Sequence, residues 1–368
     1  MSNTDRLRRL HSEQDQSPWL DNLRRDLIVG GGLAAVRDSG IRGLTSNPTI
    51  FQKAIQGSAD YDEQFASLRA SGHSVIESYW EMVLTDIRGA LDVFAPLHES
   101  SEGRDGFVSV EVDPNLAHDG EGTLHAARAL WDKVDRPNLM VKIPGTVEGL
   151  PAIRRMIAEG RNVNVTLIFG LDRYQKVMDA YIEGLEDRVA SGLDVSRVSS
   201  VASFFISRVD SEVDKRLEAV GTPAAHAERG KAAVAQAKLA YEAFGRTFSG
   251  PRWEALAARG ARVQRPLWAS TSTKNAAYPD TLYVDELIGP FTVNTLPDAT
   301  VDAFADHGTV ARRVDADVDE SHRVWSALPA LGVDMNDVAT QLEAEGVASF
   351  RKSFDELLDA LSAKQPSL

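Results

Sequence analysis

The chain contains no cysteine among its 368 residues, which removes disulfides, thiol nucleophiles and thiolate metal sites together. A cysteine-free chain fits a reducing compartment. Positive charge is scarce as well: 40 Lys and Arg stand against 54 Asp and Glu, a formal net charge of −14. That balance repels nucleic acid and anionic membrane surfaces as a whole, so an anionic ligand must be held by a few local cations. Long apolar runs are missing too, none approaching the roughly 18 residues that cross a bilayer. The opening stretch Met1–His11 carries Arg6, Arg8 and Arg9, but Ser12-Glu13-Gln14-Asp15 follows it in place of an apolar segment, so it lacks the pattern of a secretory signal. The histidines show neither His-Glu-x-x-His nor His-x-His spacing. The expectation is a soluble, cytoplasmic protein with no metal, no nucleic-acid partner and no membrane partner.

What is present is an ordinary globular composition, 43% hydrophobic and 26% charged. Short β-rich runs recur at 41–47, 107–114, 139–145, 162–169, 198–205, 266–271 and 291–296, and the gaps between them are long enough for helices, among them 121–134, 147–159, 171–190 and 207–220. Strand–helix alternation of this kind predicts parallel strands joined by helical crossovers. An eighth strand has a weak pattern and is placed around Pro18-Trp19-Leu20-Asp21. The intervals 58–96 and 226–260 read as extra helices. The tail from about 317 to 363 reads as helical, with 341–361 packed over the outside. Gly30-Gly31-Gly32 lacks the spacing of a dinucleotide-binding loop and reads as a bend beside a helix. The reading is an α/β protein, a single (β/α)8 TIM barrel in one domain over 1–368, with the barrel at about 17–300 and a C-terminal helical extension at about 301–368.

Several of these strands alternate where a sheet covered on both faces would be continuously apolar. In Val108-Ser109-Val110-Glu111-Val112-Asp113 and in Asn162-Val163-Asn164-Val165-Thr166-Leu167 every second residue is polar, so the valines share one face and the polar side chains the other. An antiparallel sheet with one wet face also alternates, but its hairpins need only a few linking residues. In a closed barrel the polar face points into the lumen and the strand C-termini form the active site. That places Asn47, Glu111, Lys142, Asn164, Thr166 and Ser203 around one opening. Lys142 lies in the apolar run Leu139-Met140-Val141-Lys142-Ile143. A lysine there loses hydration, which favours the free amine that can attack a carbonyl. The competing reading is a structural lysine paired with a buried carboxylate.

The motifs Leu44-Thr45-Ser46-Asn47-Pro48-Thr49-Ile50-Phe51, Val110-Glu111-Val112-Asp113, Val141-Lys142-Ile143-Pro144, Asn162-Val163-Asn164-Val165-Thr166-Leu167 and Trp268-Ala269-Ser270-Thr271, in this order, resemble the transaldolase family, specifically its longer bacterial branch. The resemblance implies a (β/α)8 barrel, Schiff-base catalysis without metal or organic cofactor, and transfer of a dihydroxyacetone unit between sugar phosphates in the pentose phosphate pathway. It implies Lys142 as the Schiff-base lysine, Glu111 with Thr166 as the pair holding a catalytic water, and Asp21 as the acid/base carboxylate. By the same resemblance Asn47 and Asn164 bind substrate hydroxyls, Ser203 and Phe205 line the pocket, and Arg208 binds phosphate. Ser270-Thr271-Ser272-Thr273-Lys274 departs from better-known members, which carry a serine and an arginine there. Ser270 and Lys274 are the corresponding candidates, with a point charge in place of a bidentate fork. The partners implied are sugar-phosphate substrates, in a monomer or a homodimer. Two rival readings remain: a related aldolase that releases dihydroxyacetone from fructose 6-phosphate, and a non-catalytic sugar-phosphate-binding protein.

Overall fold

A computed structural model describes residues 5–364. Eight strands, β1 Gln16–Leu20, β2 Gly43–Leu44, β3 Phe107–Glu111, β4 Leu139–Pro144, β5 Val163–Ile168, β6 Ser200–Phe205, β7 Arg265–Ala269 and β8 Thr292–Leu296, close into a barrel in sequence order. Every neighbouring pair is parallel, including β8 on β1. The alternating residues divide as their period requires. Val108, Val110, Val141, Ile143, Val163 and Val165 are fully buried; of the complementary set, also buried, Glu111 pairs with Lys142 and Asn164 with Ser109, and Thr166 lies on the same face. The expected eighth strand exists as β1 and ends one residue before Asp21. Its signal is weak because Pro18 interrupts it and because Gln16 is also buried, its amide nitrogen donating to the Leu287 carbonyl and the Thr292 hydroxyl.

β2 is shorter than the expected 41–47, although its ladder is continued by Arg42 N–H to Pro18 O and Thr45 N–H to Leu20 O. Gly43 explains the barrel interior at this level. A Cβ there would lie 2.5 Å from the Trp19 ring, so only glycine lets this indole, 0% exposed, fill the lumen. Truncating so large a buried ring costs on the order of 3–5 kcal/mol. At the N-terminal end of the barrel the buried Asp105 carboxylate accepts from Arg42 Nε at 2.6 Å, Arg265 at 3.2 Å and the Ser17 hydroxyl at 2.9 Å. Burial alone would raise its pKa, but Arg265, Arg42 and Ser17 hold it below the usual carboxylate range.

The helices Gly120–Val134, Gly149–Ala158, Leu171–Ala190 and Ser207–Val220 follow strands β3 to β6 as the sequence predicts. The interval 58–96 divides into Asp62–Ala70 and Val75–Ser100, broken at Gly72 with φ +92° and restarted by a Ser74–Glu77 capping box. Gly31, at φ +75°, turns the chain between Arg25–Val29 and Gly32–Asp38, the bend expected of the triple glycine. The expectation for the C-terminal tail is corrected. Its last helix, Met335–Lys364, does not pack over the outside but crosses the C-terminal mouth of the barrel. Gly346 lies against Leu167, so that a Cβ would come within 2.9 Å of it, and Ser353 bonds Thr49 at 2.8 Å across the opening. The apolar face formed by Val347, Phe350, Phe354 and Leu357 is buried. Amphipathic spacing identifies such a face but not the surface that covers it.

Candidate active site

Register brings the charged pair together. Glu111 on β3 lies opposite Lys142 on β4, and Lys142 lies opposite Asn164 on β5. Lys142 Nζ donates to Glu111 Oε2 at 3.0 Å and to the Ser46 carbonyl at 3.2 Å. Both side chains are nearly sealed, 5% and 3% exposed, so the lysine is at once buried in a strand and paired with a carboxylate. Glu111 Oε1 and the Thr166 hydroxyl are buried and have no hydrogen-bond partner among the described residues, and unmade bonds of this kind cost free energy unless a ligand or water completes them. Asn164 is held in both directions, donating to Ser109 Oγ at 3.0 Å and accepting from Ser203 Oγ at 2.7 Å.

Above this layer a cavity of about 130 Å³ is lined by Asp21, Asn47, Lys142, Thr166, Ser203, Phe205, Arg208, Ser270 and Lys274. All nine come from the sequence-derived set; Glu111 and Asn164 form the layer beneath. The volume lies well under the roughly 300 Å³ of ordinary small-molecule pockets, because Phe350 of the last helix roofs it, 5.7 Å from Lys142 Nζ to the ring centre. Asp21 accepts from Thr45 Oγ1 at 2.7 Å. Burial raises the Asp21 pKa and Asp298 adds to this, against the attraction of Lys142 and the Thr45 bond. Burial likewise raises Glu111, with Lys142 opposing and Asp21 reinforcing. Two carboxyl groups beside one amine are thereby poised to carry protons. Asp113, at the end of the polar face of β3, caps the turn after that strand by accepting from Asn115 N–H at 2.8 Å and does not line the cavity.

Asn47 caps the helix Pro48–Gln56 through its Oδ1, which accepts from Ile50 N–H at 3.0 Å, and its amide NH2 is left for the cavity. Arg208 has no carboxylate partner among the described residues; its guanidinium lies 5.4 Å above the Phe205 ring. Among the described residues Lys274 Nζ donates only to the Ser272 hydroxyl, at 2.7 Å. Burial and the nearby Arg208 and Lys53 lower the Lys274 pKa. Ser270 holds φ +56° and shares a hydroxyl contact with Ser207 at 2.9 Å. Converging cations without a counter-anion are what a phosphate monoester neutralises. Thr45, Thr295, Pro297 and Phe350 also line the cavity without having been expected there, and Lys53, in a neighbouring cleft, adds positive charge near Lys274. Lys53 sits in the second turn of the helix capped by Asn47, a spacing visible in the sequence once that cap is known. Among the described residues no group of three or more His, Asp or Glu side chains is gathered as metal ligands would be.

The family model described as Transaldolase/Fructose-6-phosphate aldolase matches residues 18–361. The chain belongs to this family. Among its relatives, the transaldolase of Parafrankia sp. (strain EAN1pec) is 55% identical over 345 residues, 93% of this chain and 94% of the relative. That of Saccharopolyspora erythraea is 54% identical over 352 residues, 95% of each chain. That of Mycobacterium ulcerans (strain Agy99) is 51% identical over 355 residues, 96% of this chain and 95% of the relative. As a member of this family the chain is an enzyme of the transferase class, and its barrel has the expected (β/α)8 form. No helix among the described residues is long and apolar enough to cross a membrane.

Proposed function

We infer that the chain is a transaldolase that moves a dihydroxyacetone unit between sedoheptulose 7-phosphate and glyceraldehyde 3-phosphate, giving erythrose 4-phosphate and fructose 6-phosphate. The observation that carries this reading is the sealed Lys142–Glu111 pair beneath a cavity also lined by Arg208 and Lys274, neither of which has a carboxylate partner among the described residues. Glu111 Oε2 lies 3.0 Å from Nζ, and burial raises the pKa of this carboxyl, so Glu111 can take the lysine's proton and leave an amine facing the cavity. The amine attacks the ketone carbon of the donor. Protons then pass through Glu111, and water leaves to give an iminium. Thr166 and the free Oε1 of Glu111 are placed to hold the water consumed or released.

The iminium accepts the electron pair of the C3–C4 bond once Asp21 removes the proton from the C4 hydroxyl. The aldose phosphate departs and a three-carbon enamine remains on Lys142. Addition to the acceptor aldehyde reverses these steps, Asp21 returning its proton to the new hydroxyl. Asn47, with its free amide, and Asn164 and Ser203, held to each other, position the hydroxyls of the chain. Phe205 supports the guanidinium of Arg208. Arg208, Lys274 and Ser270 hold the phosphate of donor and acceptor alike, so binding energy remote from the reacting carbons orients both.

The family description includes an aldolase that would release the three-carbon unit. Incubating the enzyme with fructose 6-phosphate, with and without erythrose 4-phosphate, separates the two. Sedoheptulose 7-phosphate formed only with the acceptor is the expected result, and free dihydroxyacetone accumulating without acceptor at a comparable rate would refute transfer. No turnover in either arm would leave only a sugar-phosphate-binding protein.

A further inference from the structure

A cavity of about 900 Å³, larger than the one above Lys142, lies at the opposite, N-terminal end of the barrel. Arg42, Arg104, Arg262 and Arg265 line it, and Arg197 lies near enough to act on Arg262. The carboxylates facing it are Asp15, Glu102 and Asp105. Asp105 is shared by Arg42 and Arg265, and Glu102 reaches Arg104 only at 3.4 Å between exposed side chains. Arg262 and Arg197 have no carboxylate partner among the described residues. Arg262 instead donates to two carbonyl oxygens, those of Gly103 and Glu102. Burial, followed by the guanidiniums of Arg104, Arg197 and Arg265, lowers its pKa, while Tyr181 pulls the other way. In a chain of net charge −14 this is a local excess of cations, and it sits inside a concavity, where field lines are focused.

The walls add shape to the charge. Ser196, Ser199 and Ser200 bring hydroxyls to the cavity, and the buried Trp253 forms an apolar wall. Phe291 stands at the cavity 53% exposed. Its backbone is held at φ +59° and donates to the carbonyl of Asp15, itself at φ +52°, and Glu102 on the same lining has φ +54°. Left-handed conformations at residues other than glycine are costly and collect where surrounding structure holds a site in shape. His11 lines the cavity as well, its Nδ1 buried without a partner among the described residues; burial first, then Arg42, lowers its pKa.

We propose that this N-terminal cavity is a second binding site, for a phosphate-bearing small molecule whose anion lies against Arg262 and Arg104, with Arg197 adding positive charge behind Arg262 and Phe291 against the remainder of the ligand. The shared chemistry is a multiply charged phosphate. A free polyphosphate and a phosphate ester with a flat organic group would both satisfy it, and the aromatic ring distinguishes them. The site is separate from the Lys142 cavity in every lining residue, so it stands whether or not the catalytic reading holds.

The test is calorimetric titration of the full-length protein with inorganic pyrophosphate and, separately, with ATP, for the unaltered chain and for R197A, R262K, R262A, F291A and R208A. R197A removes a side chain that makes no hydrogen bond among the described residues, and R262K keeps the charge, so a folding failure of R262A alone leaves the question answerable. Pyrophosphate or ATP should bind, R208A should retain that binding, and R197A or R262A should weaken it by about tenfold or more, the effect of losing a charge-assisted contact. F291A should weaken ATP alone if an ester is the ligand and neither probe if a free polyphosphate is. No binding of either probe, binding that R208A abolishes, or binding that R197A and R262A leave unchanged would overturn the proposal.

Discussion

Glu111→Gln isolates proton transfer from shape. Gln occupies the same volume, and its amide oxygen can still accept from Lys142 Nζ at the position where Glu111 Oε2 now lies at 3.0 Å. What is lost is a base with a raised pKa beside the amine, and with it the charge that stabilises a lysine side chain only 5% exposed. Loss of a positioned acid/base group slows a step by roughly 10²–10⁴-fold, or about 3–5 kcal/mol of barrier. The assay is a quench series: enzyme and fructose 6-phosphate are mixed, reduced with borohydride at increasing times, and the trapped fraction is measured by mass spectrometry. E111Q should trap at this slower rate with an unchanged final site of labelling. The pH profile provides a second reading. Burial pushes the Glu111 pKa up, so the acid limb of the unaltered enzyme should lie above the ordinary carboxylate range, its rate falling as pH drops through that limb, and E111Q should lack the limb. Normal trapping rates and an unchanged acid limb in E111Q would refute a proton-transfer role and leave Glu111 as the structural partner of a buried lysine.

Asp21→Asn should trap substrate with borohydride at a near-normal rate yet turn over about 10²–10⁴-fold more slowly, because only C3–C4 cleavage needs the base; normal turnover would remove Asp21 from the mechanism. Arg208→Ala should raise KM for fructose 6-phosphate by about tenfold or more and leave reaction with unphosphorylated fructose unchanged. Lys53→Ala, which removes an exposed charge, should raise the same KM only a few-fold, and equal effects on both substrates in either variant would show that the residue supports the fold and not the phosphate. Asp210 is buried, accepts from Tyr283 at 2.8 Å and Ala233 N–H at 2.8 Å, and has its pKa pushed up to about 6 by burial. A carboxyl whose folded pKa is raised contributes stability below its unfolded pKa and loses it as pH rises through the folded value. The unaltered protein should therefore lose about 3 kcal/mol relative to Asp210→Asn between roughly pH 4 and 6, measured as the difference of the two unfolding curves; parallel curves would contradict this.

The fold was legible where the two faces of a strand differ chemically. The alternation in 107–111 and 163–168 revealed which side chains face the lumen, and with it the neighbours of Lys142, because a period of two fixes the face once the strand is recognised. β1 was hard to see because Pro18 and the buried Gln16 break the apolar pattern, and Gln16 is explained only by acceptors more than 270 residues away in sequence. The course of the last helix was not legible at all. Its apolar stripe is equally suited to the outer helices or to the barrel mouth, and only tertiary structure places Phe350 above Lys142. The cation set was partly legible: Arg208 and Lys274 follow strand ends, whereas Lys53 comes from a helix between strands. The N-terminal arginines are scattered from 42 to 265, and nothing in their spacing announces that they meet.

The central claim is that Lys142 Nζ becomes bonded to the substrate carbon. Borohydride reduction of the full-length enzyme in the presence of fructose 6-phosphate, followed by proteolysis and tandem mass spectrometry, tests it directly. One dihydroxyacetone-derived adduct is expected, on the peptide containing Lys142, absent without substrate and absent in Lys142→Ala. A label on Lys274, Lys53 or any other lysine, or no label while turnover proceeds, would contradict it.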